Sequence, residues 1–422
     1  MMQSERAIAV GIDLGTSGAR AAALSQTGEV VGFAAVHFTD PAEMKSPAAW
    51  RNRVEECLTA LSQCTSLANV EGLAVDGTSG TVLSVDGQGR PLGGVLMYND
   101  PCPDAAIVER IAAVAPAESP ARGANSGLAR AIHLLKRSPD AKLLHQADWI
   151  AMQLGVTEAV SDENNALKTG YDLTSERWPE WIREAGMPIE RLPAVHRAGE
   201  PIGVVGTTGR AFGLPESCRI HAGTTDGCAS FLATGAGSVG DAVTALGSTL
   251  VLKLACEHPI NASEYGIYAH RVLGFWLVGG SSNTGGAVIR TLIGDHRLED
   301  LTARMRPDCP TNLDYYPLLK PGERFPINDP AYPPRLFPRP DDDAVFFQAI
   351  LEGMTAIEML GYKRLHALGA PKLKTVRTVG GGARNPVWSL MRQSALGVDC
   401  PSARSMEAAV GAASLVLARR AA

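Results

Sequence analysis

The segment GIDLGTSGARAAAL, Gly11 to Leu24, constrains this chain more than any other. The apolar run Ala7 to Leu14 reads as a buried strand, and Ala19 to Leu24 as a second. Only Gly15-Thr16-Ser17-Gly18 lies between them, so the two must pair as a tight hairpin. Its glycines let several backbone N–H groups converge on phosphate oxygens, with Thr16 and Ser17 as hydroxyl donors. An ordinary hairpin turn has the same composition, so the turn alone leaves both readings open. Asp13 tilts the balance, because an acid beside a phosphate cradle makes sense if it holds a hydrated Mg²⁺. No lysine occurs in the segment and the P-loop pattern is missing. Arg20, on the strand behind the turn, adds positive charge.

Beyond the hairpin, Gln26 to Glu29 turns into a third strand, Val30 to Phe38. Ser46 then caps a helix with Pro47 at its first position and Trp50, Val54, Leu58 and Leu61 at helical spacing. A strand at Val70–Val75 ends in Asp76-Gly77-Thr78-Ser79-Gly80, and Thr81–Val85 extends after it, which predicts a mixed α/β sheet. Helical patterns dominate 103–155, and 162–201 reads as irregular. A second β-rich block starts near Ala222 and runs through 244–254 and 267–278. Tyr315–Pro340 reads as a surface excursion. A long helix over 346–368, a strand at 375–379 and a helix over 405–420 complete the chain. The run Asp13-Leu14-Gly15-Thr16-Ser17 has an echo in Ala245-Leu246-Gly247-Ser248-Thr249, each with a strand behind it, which suggests two similar lobes.

Three more segments carry chemistry. Asp226, in Gly223-Thr224-Thr225-Asp226-Gly227, is flanked by small residues that leave its carboxylate unobstructed as a general base for a substrate hydroxyl. An Asx turn bonding its own backbone is the equal alternative. Gly380-Gly381-Gly382-Ala383-Arg384-Asn385 follows a strand and opens a helix, with Asn385 as cap and Trp388 one turn on; this suits adenosine or permits tight strand–helix packing. Asp76–Ser79 and Tyr98-Asn99-Asp100 are polar strand ends able to bind sugar hydroxyls or water. Gly235–Gly240 matches G-x-G-x-x-G but lacks the strand–turn–helix context.

Composition excludes several classes. A net charge of −5 with no basic tract argues against nucleic acid or anionic lipid as the main partner. The start lacks the pattern of a secretion signal, and no stretch reads as long and apolar enough to span a bilayer, so a cytoplasmic or comparable soluble compartment is expected. Eight cysteines without C-x-x-C spacing suggest neither zinc nor a disulfide framework.

In order along the chain, these motifs resemble the FGGY carbohydrate kinases, which share the two-lobed, ribonuclease-H-like α/β fold of actin and hexokinase around a central ATP and sugar cleft. GIDLGTSGARAAAL, VDGTSGTVLSVDGQGRPLGGVLMYND, HAGTTDGCASFLATGAGSVGDAVTALGSTL and VGGGARNPVWSLMRQSALG carry the resemblance, with HQADWIAMQLG, ALKTGYDLTSERWPEW and LPAVHRAGEPIG between them. The length and the DGTSGT and YND forms look most like the compact ribulose/xylulose-kinase-like branch. The resemblance implies ATP and Mg²⁺ as cofactors and Asp226 as catalytic base, with Asp13 and Asp226 toward the metal. It puts Gly15, Thr16, Ser17, Arg20, Gly247, Ser248 and Thr249 on the phosphates, and Gly381, Gly382, Asn385 and Trp388 on adenosine. Ser79 and Asp100, with Asp13 and Asp226, fall on the sugar side. It divides the chain into an N-terminal lobe, 1–228, with the C-terminal helix 405–422 packing back on it, and a C-terminal lobe, 229–404. Many relatives carry Trp-x-Asp-x-Arg where this chain reads Tyr98-Asn99-Asp100-Pro101-Cys102, so the sugar contact is reshaped. The implied function is phosphorylation of a pentulose, D-ribulose ahead of D-xylulose, by a monomer or homodimer. The alternative is a nucleotide-switching ATPase of the same fold without a sugar acceptor.

Overall fold

The computed structural model describes residues 6–136 and 138–420. The chain divides into two compact units. One holds the chain up to Ala233, the short segment His270–Gly274 and the chain from Glu407 onward; the other holds Thr234–Ala269 and Phe275–Met406.

In the first unit, β1 (Ala9–Gly15), β2 (Gly18–Leu24) and β3 (Val30–His37) form an antiparallel meander. Helix α1 (Pro47–Cys64) follows, and β4 (Gly72–Gly77) returns parallel to β1. The start of α1 is dictated locally: the Ser46 hydroxyl accepts the Ala49 N–H, Pro47 opens the first turn, and Trp50, Val54, Leu58 and Leu61 are buried. Next come β5 (Val82–Val85), α2 (Ala105–Val114), α3 (Gly127–Leu135), β6 (Lys142–His145) and α4 (Gln146–Leu154), with β5 and β6 paired antiparallel. The span expected to be irregular carries the end of β7 (Val160–Asp162), α5 (Glu163–Leu167), α6 (Trp181–Glu184), β8 (Ala194–His196) and the start of β9 (Pro201–Val204). After α7 (Thr207–Ala211), strand β10 (Arg219–Thr225) lies parallel to β4 and runs directly into α8 (Asp226–Ala233). The sheet order is β3-β2-β1-β4-β10-β9.

The second sheet has the order β13-β14-β12-β11-β15, from β11 (Asp241–Leu246), β12 (Leu250–Cys256), β13 (Tyr268–Val272), β14 (Phe275–Ser282) and β15 (Thr375–Val379), and belongs to the second unit except for β13 from His270 on. Helices α9 (Gly286–Leu292), α10 (Leu298–Arg304) and α11 (Asp343–Ala367) precede β15, and α12 (Pro386–Leu396) follows it. Here β12 runs antiparallel to both β11 and β14, while β15 runs parallel to β11. The path β14-β12-β11-β15 repeats β3-β2-β1-β4, so the sequence echo marks a repeated fold.

Two expectations are corrected here. Tyr315–Pro340 is not only a surface excursion: Tyr315, Tyr316, Leu318 and Phe325 are buried, and Phe325 fills space left by Gly280 and Gly361. Proline-rich sequence disguised apolar anchors. Helix α11 does reach the length and apolarity of a membrane span, with a mean hydropathy of 1.3 over its most apolar 18 residues. Those residues are mostly enclosed, because Phe346, Phe347, Ile350, Leu351 and Met354 form the core of the second unit. The last helix, α13 (Ala408–Arg420), packs against α8 and β1 of the first unit.

Candidate active site

In the first unit the site is a row of polar side chains across the sheet. Register pairs Arg20 on β2 with Asp13 on β1, Asp13 with Asp76 on β4, and Asp76 with Thr224 on β10. Paired residues project to the same face of a sheet, so the row sits together by geometry. Arg20 Nη1 lies 3.3 Å from Asp13 Oδ2, its Nη2 donates to Ser17 Oγ at 3.0 Å, and its Nε faces Glu407 at 3.4 Å. The guanidinium is thereby fixed beneath the turn. Thr16 and Ser17 are exposed at its tip, and Gly18 has φ of 136°, with Val36 O 2.1 Å from where a Cβ would stand. Only glycine closes this turn.

Asp76 is the residue the sequence reading undervalued. It is fully buried, and neither carboxylate oxygen has a hydrogen-bond donor. The group it meets is Asp13, so a hydrogen bond between the two exists only when one is protonated. Burial, then the charge of Asp13, then those of Asp226 and Asp162, push Asp76 well above the usual carboxylate range. Burial also raises Asp13, against the opposing pull of Asp76 and Arg20. Like charges buried side by side favour a shared proton or a cation.

Asp226 sits at the junction where β10 becomes α8. Its Oδ1 accepts the N–H of the adjacent Gly227 at 2.7 Å, one residue on and not the two of an Asx turn, and the half-buried carboxylate keeps further acceptor capacity. The approach is set by a register shift in β10 between His221 and Thr224. Gly223 makes this possible, since a Cβ there would lie 1.7 Å from Val75 O. Beyond the shift, Asn164 Nδ2 donates to Thr224 Oγ1 at 3.0 Å and Asn165 Nδ2 to Thr224 O at 3.3 Å. Both asparagines are held by Asp162, which caps α5.

The strand ends expected to meet sugar lie in the same unit. Ser79 Oγ is enclosed and has no partner, a hydroxyl prepared for a bond that the protein does not make. Thr78, by contrast, is consumed by Gln146 and Thr81. Asp100 accepts from Lys45 Nζ at 2.8 Å and from the Met97 N–H at 2.9 Å, which holds it below the usual carboxylate range despite partial burial. No arginine stands at Cys102, but Arg130 on α3, buried, reaches the same loop.

In the second unit, Gly247-Ser248-Thr249 closes the β11–β12 hairpin. The start of α9 seats it: Gly286 N–H donates to Gly247 O and Ala287 N–H to Ser248 O. Arg290 Nη2 donates to Ser248 Oγ at 2.9 Å, placing a cation beside this turn that sequence spacing had not flagged. The glycine turn after β15 is open at Gly381, where an added Cβ would meet nothing within 4 Å. Asn385 caps α12 through the Trp388 N–H and also bonds Thr302. Trp388 is corrected: it is 2 % exposed, its Nε1 donates to Thr355 Oγ1, and its ring lies against Gly382. It supports the turn from the core and offers no face to a base.

The geometry agrees with comparison to known proteins. Residues 8–118 match the N-terminal domain, and 242–419 the C-terminal domain, of the FGGY family of carbohydrate kinases. The chain belongs to this family. It is therefore an ATP-dependent sugar kinase of two-lobed, actin/hexokinase-like fold. It is 24% identical to a xylulose kinase of Escherichia coli (strain K12), over 96% of this chain and 89% of that one. Among solved structures it is similar to a xyloylose kinase from Brucella ovis, with TM-score 0.84, 23% identity and coverage of 98% and 91% of the two chains. A gluconate kinase from Lactobacillus acidophilus is nearly as similar in fold, with TM-score 0.82, 18% identity and coverage of 98% and 88%. Fold alone therefore does not choose the sugar.

Proposed function

We propose that this FGGY-family kinase transfers the γ-phosphoryl group of ATP to a hydroxyl of a pentulose, D-ribulose ahead of D-xylulose, with Asp226 as general base. The observation that carries the reading is the bulged end of β10, where Gly223 permits the bulge and Asn164 and Asn165 fix Thr224, two residues before Asp226. Asp226 accepts the hydroxyl proton as the sugar oxygen bonds to phosphorus, and the bond from phosphorus to the bridging oxygen breaks to release ADP. Ser79, with its unpartnered hydroxyl, and Asp100 orient the sugar.

Gly15, Thr16 and Ser17 are the phosphate-binding turn of the first unit, and Gly247, Ser248 and Thr249 that of the second; Arg20 and Arg290 supply their fixed charge. The open backbone at Gly381 receives adenosine, with Gly382 backed by Leu246 and Trp388 beside it, and Asn385 fixes that turn. The residues fit Mg²⁺. Asp76 and Asp13 bring buried, undercompensated carboxylate to the end of the sheet, yet no set of three metal-ligating side chains converges among the described residues. Mg²⁺ commonly takes one or two carboxylates and completes its shell with phosphate oxygens and water. Asp13 and Asp226 would hold it, and when bound it neutralises phosphate charge.

The test is Asp226→Asn. Sugar-dependent ADP release should fall by roughly 10²–10⁴-fold while ATP affinity stays near wild type. Near-normal turnover in that variant would remove Asp226 from the role of base.

A further inference from the structure

A single buried cation ties together the two loops assigned to the sugar. Arg130, on α3, is 1 % exposed. Its Nη2 donates to Gly80 O at 2.8 Å, and its Nη1 to both Tyr98 O and Asp100 O at 3.0 Å. Gly80 directly follows Ser79, and Tyr98 and Asp100 bracket the loop whose carboxylate Lys45 holds. Burial lowers the affinity of Arg130 for its proton, and the nearby charge of Asp100 opposes that shift. No salt-bridge distance separates it from a carboxylate among the described residues; its planar fork is spent on backbone carbonyls, and its Nε has no partner. A buried guanidinium is costly to keep for packing alone, whereas its rigid geometry fixes the separation of the groups it bonds.

We propose that Arg130 is the positioning residue of the sugar side: it sets the spacing between Ser79 Oγ and the Asp100 carboxylate, and through that spacing which ketose is accepted. The proposal rests on the reading of Ser79 and Asp100 as sugar contacts. Lysine at this position keeps the charge but cannot hold three carbonyls in a planar fork, so one loop or the other is released.

The test uses the full-length protein with Arg130→Lys, and Arg130→Met as a second variant. Steady-state kinetics are measured with D-ribulose and D-xylulose at saturating ATP, and with ATP at saturating sugar. Arg130→Lys should raise the KM for sugar by about tenfold, as expected for losing hydrogen bonds from a charged donor. It should also change the ratio of kcat/KM between the two ketoses, while the KM for ATP stays near wild type. Arg130→Met should show the same split in whatever fraction folds, since KM does not depend on the amount of active enzyme. A merely structural arginine would lower thermal stability and apparent kcat but leave the sugar KM and the ketose ratio unchanged; that result overturns the proposal. Should the wild-type protein phosphorylate no ketose, the underlying reading fails and the proposal falls with it. A ketose kinase with an Arg130→Lys variant of unaltered sugar KM refutes the positioning role alone.

Discussion

Replacing Asp76 by asparagine should make the protein more stable at neutral and alkaline pH. Asp76 and Asp13 are register partners on parallel strands, and Asp76 is wholly buried without a donor. Neighbouring strands lie about 4.8 Å apart. At about 5 Å and an effective dielectric of about 20, two carboxylate charges repel by roughly 3 kcal/mol. Arg20, 3.3 Å from Asp13, offsets part of this. Asparagine keeps the shape, removes one charge and offers Asp13 an N–H donor, so a gain of about 1–3 kcal/mol is expected where both acids would otherwise ionise. The sign with pH follows from the raised affinity of Asp76 for its proton. The folded state binds that proton more tightly than the unfolded chain does. Its contribution is therefore fully present below the ordinary carboxylate range and is lost as pH rises through the elevated folded value. Urea unfolding of both proteins at about pH 5 and about pH 8.5 measures this, with the advantage of asparagine larger at the higher pH. An Asp76→Asn protein no more stable than wild type at the higher pH, or a gain independent of pH, would refute the reasoning.

Other consequences follow from single contacts. Arg290→Ala removes the cation beside Ser248, and should weaken ATP binding measured by calorimetry by about tenfold without moving the sugar KM. Glu358 and Arg392 form a doubly bonded pair in the core of the second unit, at 2.6 and 2.7 Å, joined by Thr378 and Thr244. Glu358→Ala strands the guanidinium and should cost about 3–5 kcal/mol in denaturant unfolding; a loss under about 1 kcal/mol would mean that water reaches the site.

Local chemistry made much of this molecule legible. The Gly15–Gly18 hairpin, the Ser46–Pro47 start of α1 and the Asn385 cap of α12 depend on residues within a few positions of one another, and each forms as read. What escaped depends on residues brought together from afar. Asp13 and Asp76 are 63 positions apart, and neither motif announces that the strands pair in a register placing the acids side by side. Arg130 lies in an ordinary helical pattern, and its three carbonyl partners carry no sequence signal at all. Trp388 is buried, and proximity along the chain to a glycine turn does not say which helix face meets the core. Strand β6 has four residues and runs directly into α4, too short for an alternating pattern to stand out.

The most direct test of the account is ADP release by the wild-type protein with Mg-ATP, with and without D-ribulose, D-xylulose, ribitol, glycerol and gluconate. The account predicts that a pentulose accelerates ADP release, D-ribulose most, with one sugar phosphate formed per ADP. Stimulation by gluconate or glycerol in preference to either pentulose would contradict the substrate assignment. No stimulation by any of them would leave an ATPase without a sugar acceptor and contradict the central claim.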